Sequence, residues 1–126
     1  MSLSIQSIAE SADMFLSFFS KEIRSLDPGE FRSLLHGTKD ARLIDVSTQE
    51  EYNALHIPGS KNYDVLSPQF IHKLEPLNRF RPFFIYCRNG KRSETARMIM
   101  EEMGFKRVYT LISGLQFWKG TLEMSY

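Results

Sequence analysis

The sequence predicts an α/β domain built around a parallel β-sheet. Short apolar segments alternate along the chain with amphipathic helical segments, a pattern typical of parallel strands joined by helical crossovers. The chain has 126 residues, 42% of them hydrophobic and ten of them phenylalanine, which suits one domain with a single core. It contains no internal repeat and no low-complexity segment. We therefore expect one domain over residues 21–126, preceded by an N-terminal extension.

Residues 1–20 form this extension. Apolar side chains recur there at three- and four-residue steps, which predicts an amphipathic helix. The residues that set the spacing are Ile5, Ile8, Ala12, Phe15, Phe19 and Ile23. Two interpretations are open. In the first, which is the more common case and the one we favour, the helix packs on the domain and covers a sheet edge or a helix face. In the second, residues 14–16 and 18–19 form a partner or dimer surface.

The first helix of the domain is predicted to begin after Asp27. Asp27 as N-cap, Pro28 at the first helical position and Glu30 three residues after the cap are typical of a helix N-terminus. Gly37 is placed to end this helix. The remaining predicted elements are a strand over 42–46, a short helix capped by Ser47 or Thr48 and running through Ala54, a turn over 56–59, a strand over 61–63, a helical crossover over 68–74, strands over 83–86 and 107–111, and a short helix over 114–119.

Cys87 is the only cysteine in the chain and lies between a predicted strand and a predicted helix. The apolar and aromatic run Pro82–Tyr86 before it is typical of a buried strand. Apolar residues on one face of 93–103, followed by Gly104, predict a helix after it. We therefore expect Cys87–Arg92 to form a turn that aims backbone N–H groups, and the positive end of the helix dipole, at its mouth.

Three cationic side chains, those of Arg88, Lys91 and Arg92, belong to this turn. Positive charge and a helix N-terminus both favour the thiolate, which is the nucleophilic form of cysteine. The alternative is that Cys87 is a small hydrophobic residue at a strand end, the usual role of a lone cysteine. Three features favour a reactive thiolate instead: the predicted strand ends at Cys87, a glycine follows three residues later, and the nearest charges after it are all positive.

The turn resembles the active-site loop of single-domain rhodaneses, the thiosulfate sulfurtransferase family, over Tyr86–Ser93. Two further segments resemble signatures of the same family in the same order. The first signature is matched by Leu43–Val46, Glu51-Tyr52, His56–Ser60 and Asn62, and the C-terminal one by Gly104-Phe105, Val108-Tyr109, Leu111, Gly114 and Trp118. The resemblance runs from about residue 22 to about residue 120, which is most of the chain.

The resemblance implies a rhodanese-like fold, with a central parallel sheet of about five short strands and helices on both faces. It also implies an activity, in which the Cys87 thiolate takes the outer, sulfane sulfur from thiosulfate or a similar small anionic donor and carries it as a persulfide. Cyanide in an assay, or a thiol or dithiol in the cell, then accepts the sulfur. Because the chain has no second cysteine, the persulfide has to be discharged to another molecule.

The predicted site has one catalytic residue, Cys87. The substrate-binding loop residues predicted with it are Arg88, Asn89, Gly90, Lys91, Arg92 and Ser93. The three cations are expected to attract a dianionic donor and to stabilise the leaving sulfite. Asp45 is a supporting candidate at a strand end, where its carboxylate either orients a loop arginine or is a solvent-facing cap.

Other residues receive structural assignments. By resemblance, His56 hydrogen-bonds its own turn, and we expect Phe117 and Trp118 to pack a C-terminal helix on the core. Ser47 departs from the family pattern, which most often has an arginine there, so it either alters the charge framework beneath the site or removes one ion pair. Ser113 replaces the first of two glycines, a change with little cost if its φ stays negative.

Two other functions compete with sulfur transfer. In protein tyrosine phosphatases the cysteine and the arginine are separated by one residue more than Cys87 and Arg92, so the spacing decides against a phosphatase. A rhodanese-like module without turnover, acting as a persulfide carrier or as a protein-interaction or regulatory domain, stays open. Retention of Cys87 favours chemistry but does not distinguish an enzyme from a carrier.

The composition limits which kinds of partner and cofactor we expect. The net charge of +1 provides no basic field for nucleic acid, and no apolar run is long enough to span a bilayer. Three scattered histidines and one cysteine do not form a metal-site pattern, and no cofactor is expected. A single free thiol and an N-terminus without a basic segment predict a cytoplasmic protein. The sequence leaves the oligomeric state open.

Overall fold

The computed structural model describes residues 21–125. Strands and helices alternate along this range. The elements are β1 (Glu22–Leu26), α1 (Pro28–Gly37), β2 (Arg42–Asp45), α2 (Gln49–Ala54), β3 (Lys61–Asn62), α3 (Phe70–Leu74), β4 (Pro82–Tyr86), α4 (Lys91–Glu102), β5 (Arg107–Leu111) and a 3-10 helix, Gly114–Phe117.

The five strands form one parallel sheet in the order β1-β5-β4-β2-β3, which confirms the predicted architecture. Strand β1 was not predicted, because only one of its five residues is fully buried and no strand periodicity is visible. The helical spacing that included Ile23 is wrong at that residue, which pairs with Val108 of β5. The rest of the predicted N-terminal helix lies outside the described residues.

Helices cover both faces of the sheet, as the resemblance implied. Strand β4 is buried at every residue, as expected for the centre of a parallel sheet. Phe83 and Ile85 pack on one face with residues of α3 and α4. Phe84 and Tyr86 pack on the other face with α1, where the Phe31 ring meets the Phe84 ring edge-on at 5.4 Å.

Side-chain caps define where α1 and α2 begin. The Asp27 carboxylate accepts a hydrogen bond from the Glu30 amide at 2.8 Å, which confirms the predicted N-cap. Of the two candidate caps for α2, Thr48 is the one used, and it forms a reciprocal capping box with Glu51.

Helix α4 begins two residues earlier than predicted. Lys91 and Arg92 were assigned to the turn, but they lie in the first turn of the helix. The Asn89 side chain accepts a hydrogen bond from the Lys91 amide at 3.0 Å. Gly90, with a φ of 92°, adopts the left-handed conformation through which the chain enters the helix. The turn is therefore Cys87–Gly90, and the first amides of α4 adjoin it.

After β5, the structure differs from the prediction at the side chain of Phe117. The last helix is a 3-10 helix that ends at Phe117. Leu115 and Trp118 are three residues apart and both pack on the core, where the Trp118 ring meets the Phe31 ring edge-on at 6.1 Å. Phe117 is 62% exposed, so its predicted packing is wrong. The threefold repeat of this helix places Leu115 on the core side and Phe117 on the solvent side.

The strand order determines where the cysteine turn lies. From β4 the chain passes through α4 to β5 on one side, and from β2 it passes through α2 to β3 on the other. The strand order therefore reverses between β4 and β2. Open parallel sheets bind ligands at the carboxyl ends of strands at such a point. Asp45 ends β2 and Cys87 directly follows β4, so both residues lie there.

Candidate active site

The Cys87 sulfur is buried and lies against the N-terminus of α4. Its Sγ accepts hydrogen bonds from the amides of Gly90 at 3.1 Å and Ser93 at 3.3 Å. These amides belong to the N-cap and the first turn of the helix, where backbone N–H groups have no acceptor within the helix. The arrangement stabilises negative charge on sulfur through two N–H donors and the helix dipole.

Ser93 contacts the sulfur through its side chain as well. Its Oγ lies 3.6 Å from Sγ and accepts from the thiol, while it donates its own proton to the Gly90 carbonyl at 3.0 Å. A thiolate has no proton to donate, so after ionisation the two amides remain as donors to sulfur. The Ser93 hydroxyl can then turn its proton towards the sulfur.

The turn after β5 supports the backbone of the cysteine turn. A Cβ at Gly114 would lie 2.3 Å from the Cys87 carbonyl oxygen, so only glycine fits there. The Leu115 amide donates to the carbonyls of Cys87 at 3.2 Å and Arg88 at 3.1 Å. Ser113 has a φ of 62°, so the condition of a negative φ, under which its replacement of glycine would cost little, is not met. This left-handed conformation is costly for a residue with a Cβ. It lies where the two turns approach closely, since a Cβ at Gly90 would lie 3.1 Å from the Ser113 amide nitrogen.

Arg88 is bound by three separate groups, one at the end of β2 and two on the residues that flank α2. Its Nη2 pairs with Asp45 Oδ2, its Nε donates to Ser47 Oγ at 3.0 Å, and its Nη1 donates to the Leu55 carbonyl at 2.5 Å. Each guanidinium nitrogen therefore has a partner within the domain. Ser47, at the position where the family pattern has an arginine, serves here as a neutral acceptor for Arg88.

Asp45 is fully buried beneath the cysteine turn. Of the two placements left open, the structure has the carboxylate against a loop arginine, and burial contradicts a solvent-facing cap. Its Oδ1 accepts from the Ser47 amide at 2.9 Å. Asn62 ties this segment to β3, since its Nδ2 donates to the carbonyls of Asp45 and Ser47 at 3.0 and 2.8 Å.

Arg92 is paired with Glu51, a residue to which the sequence analysis gave no role in the site. The two guanidinium nitrogens Nη1 and Nη2 donate to Oε1 and Oε2 at 2.6 and 2.8 Å, a bidentate arrangement. The hydrogen bonds from Arg92 lower the pKa of Glu51 to about 2, and the Glu51 carboxylate raises the pKa of Arg92. The sequence contained one signal for this role of Glu51. Thr48 and Glu51 have the spacing of a capping box, and this capping box orients the Glu51 side chain.

Lys91 differs from both arginines. Its side chain is exposed and forms no ion pair with any residue in the described range 21–125. The structure thus brings the three predicted cations to one helix N-terminus, but it pairs two of them with carboxylates.

Tyr86 is a second residue whose role the sequence analysis missed. Its hydroxyl accepts from the Ile57 amide at 2.9 Å and lies 2.8 Å from Ser60 Oγ, which ties the turn before β3 to the strand that carries Cys87. Burial raises the pKa of Tyr86 well above its usual range, and the charge of Asp45 adds to this shift. An aromatic residue in a buried strand gave no indication of this bond.

His56 lies in the same turn and is buried. Its Nδ1 lies 2.7 Å from the Tyr52 carbonyl and its Nε2 lies 3.0 Å from Glu123 Oε1. Both ring nitrogens therefore have structural partners, but these lie in α2 and near the C-terminus, not in the turn of His56 itself as the resemblance implied.

The sequence is similar to known proteins over most of its length. A family model described as "Rhodanese-like domain" matches residues 27–121. The chain is 30% identical over 93 residues to the "Putative sulfur carrier protein YrkF" of Bacillus subtilis, which covers 74% of this chain and 49% of that protein. It is 31% identical over 81 residues to the "Thiosulfate sulfurtransferase GlpE" of Coxiella burnetii, which covers 64% of this chain and 74% of that protein. The chain thus spans about half the length of the first of these relatives.

Solved structures share the architecture. The crystal structure of a "Rhodanese-like Domain Protein" from Staphylococcus aureus superposes with a TM-score of 0.71 at 24% identity, covering 82% of this chain and 99% of that one. At this identity the likeness concerns the fold. Within residues 21–125, no helix has the length and apolar character needed to cross a membrane.

Proposed function

This chain belongs to the rhodanese-like domain family, and on that premise we propose that it is a cysteine-dependent sulfurtransferase that moves sulfane sulfur through a persulfide on Cys87. One observation carries the proposal: Sγ accepts hydrogen bonds from the amides of Gly90 and Ser93 at the N-terminus of α4. Such donors stabilise the attacking thiolate, and also the negative charge of the persulfide.

The first half-reaction proposed is transfer from thiosulfate or a similar anionic donor. The Cys87 thiolate attacks the sulfane sulfur, the S–S bond of the donor breaks, and sulfite leaves with the bonding electron pair. The products are a Cys87 persulfide anion and the sulfite dianion, so atoms and charge balance. Lys91, which has no carboxylate partner among the described residues, is the side chain best placed to attract the donor.

The second half-reaction delivers the sulfur to a thiol or dithiol, or to cyanide in an assay. No second cysteine exists in the chain, so the acceptor is another molecule. We place this chemistry in the cytoplasm, where reducing conditions keep a lone thiol free.

A carrier function is the second candidate. It is favoured by the similarity to a protein named as a putative sulfur carrier, and by the pairing of Arg88 and Arg92 with carboxylates. A carrier receives its persulfide from a partner protein, so it does not need to bind thiosulfate.

Intact-protein mass spectrometry after brief exposure to thiosulfate, and in a parallel sample to an organic persulfide, tests the proposal, with Cys87→Ser as control. We expect a gain of one sulfur atom in the parent protein, reversed by cyanide or a thiol and absent from the variant. A parent protein that gains no sulfur from any sulfane donor, or a Cys87→Ser variant that transfers sulfur normally, would contradict it.

A further inference from the structure

The charges around Cys87 are more nearly balanced than the sequence of the turn indicates. Arg88 pairs with Asp45, whose side chain is buried, and Arg92 pairs with Glu51 in a bidentate arrangement. Each pair combines one positive and one negative charge. Of the three cations that follow Cys87 in the turn and in the first turn of α4, Lys91 alone has no carboxylate partner within the described part of the chain.

This near balance of charge affects which sulfur donors the Cys87 thiolate can attack. A thiolate that attacks thiosulfate brings one negative charge against two, and the leaving sulfite retains two. Coulomb repulsion between the thiolate and the donor scales with the charge of the donor. Backbone amides and one exposed ammonium group offset part of that repulsion, whereas two unpaired guanidinium groups would offset much more.

On the premise of the proposed function, we infer that the site takes a sulfane donor with at most one negative charge, such as an organic persulfide, in preference to thiosulfate, and that Glu51 is a specificity-determining residue. Glu51 acts by neutralising Arg92 and occupying its guanidinium group. The aligned Oε1 and Oε2 contacts occupy both terminal nitrogens of Arg92.

The transfer from a persulfide balances without a further reactant. The Cys87 thiolate attacks the outer sulfur of R–S–SH, the S–S bond breaks, and RS⁻ leaves with the electron pair. The proton on the outer sulfur passes to RS⁻, which gives the Cys87 persulfide anion and R–SH. No dianion forms at any stage, so the paired arginines are not needed as counter-ions.

Thiosulfate and the methanethiosulfonate anion form a matched pair of test donors. Both present a sulfane sulfur on an oxidised sulfur atom, but a methyl group replaces one oxygen in the second, so its charge is one unit smaller. We would measure kcat/KM for each donor with cyanide as acceptor, and divide each value by the rate of the same donor with free cysteine. The free thiol reacts in water, which screens the repulsion strongly, so the quotient retains the excess repulsion at the buried Cys87 sulfur. After this correction, we expect methanethiosulfonate to be favoured by roughly tenfold.

Glu51→Gln is the decisive variant, because the amide oxygen of glutamine can still accept from the Thr48 amide while the charge on Arg92 becomes unpaired. We expect it to lower the preference for methanethiosulfonate by roughly tenfold, mainly by raising kcat/KM for thiosulfate. Glu101→Gln is the matched control, since Glu101 pairs with Lys21 and Arg97 at the other end of α4. That control should leave the preference unchanged.

Two results would overturn the inference. One is a parent protein whose kcat/KM, after division by the free-cysteine rate, is higher for thiosulfate than for methanethiosulfonate. The other is a Glu51→Gln variant in which kcat/KM changes by the same factor for both donors. If Glu51→Gln fails to give the parent circular dichroism spectrum, Lys91→Gln replaces it and should lower kcat/KM for thiosulfate more than for methanethiosulfonate; equal losses would overturn the inference. Failure of the proposed function is a separate result, because then no donor places sulfur on Cys87.

Discussion

The cysteine turn is held from two sides, and the two sides work by different physics. On the side of β5, the turn over residues 113–115 contacts the carbonyls of Cys87 and Arg88 through backbone alone, at a distance that excludes any Cβ at Gly114. On the side of β2 and α2, the contacts are charged: Asp45 binds Arg88 and Glu51 binds Arg92. The first side determines the shape of the turn, and the second determines its charge.

The shape and the charge of the site therefore depend on different residues and can be changed independently. A substitution on the β5 side should displace the amides that bind Sγ and abolish all chemistry. A substitution on the charged side should leave the amides in place and change stability or donor choice. The expected effects therefore fall in order from the backbone contact to the buried pair to the partly exposed pair.

The largest effect is expected from Gly114→Ala. The added Cβ would lie 2.3 Å from the Cys87 carbonyl oxygen, at a φ of 59°, so the two turns must separate. We expect a loss of about 3 kcal/mol in the free energy of unfolding, and no persulfide on Cys87. Urea denaturation and intact mass spectrometry measure the two quantities. Gly37→Ala is the control, because a Cβ there meets nothing within 4 Å; equal behaviour of the two variants would refute the steric argument.

An intermediate effect is expected from Asp45→Asn. The variant keeps an acceptor for the Ser47 amide but removes the charge that pairs with Arg88, whose side chain is only 22% exposed. A partly buried guanidinium group without its counter-charge should lower the free energy of unfolding by about 2 to 3 kcal/mol. Arg24→Gln, which removes an exposed ion-pair partner, should cost about 0.5 kcal/mol or less. Similar urea midpoints for the two variants would show that the buried pair adds no stability.

The smallest effect is the pH dependence of the pair between Glu51 and Arg92. Hydrogen bonds from Arg92 lower the pKa of Glu51 from 4.5 to about 2 in the folded protein. The pair therefore stabilises the fold fully above pH 4.5, and this stabilisation is lost as the pH falls towards 2. Because Glu51 is partly exposed, we expect the loss to be about 1 kcal/mol or less.

The measurement for this pair is the difference in unfolding free energy between the parent protein and Glu51→Gln as a function of pH. The difference should be constant above pH 4.5 and shrink below it, because only the parent carries the titrating carboxylate. A difference that stays constant down to pH 3 would mean that Arg92 does not control the ionisation of Glu51.

Much of this protein was determined by its sequence alone. Local signals act over a few residues, so the cap at Asp27, the strand Pro82–Tyr86 and the helix that follows the cysteine turn were all predictable from spacing. The position of Cys87 between a buried strand and a helix N-terminus predicted backbone donors around its sulfur, and the structure has them. The exposed edge strand β1 carries too little burial to leave a pattern, which is why it was missed.

Only the tertiary structure decided the charge of the site. Arg88 and Asp45 are far apart in the sequence, as are Arg92 and Glu51, and both pairs form only because β2 and β4 are neighbours in the sheet. In the same packed turns Ser113 has a φ of 62°, and only glycine fits at position 114. Side-chain periodicity records which face of an element is buried, but it does not record which element lies beside it. That neighbour determines whether a cation near Cys87 is available to a donor or already paired.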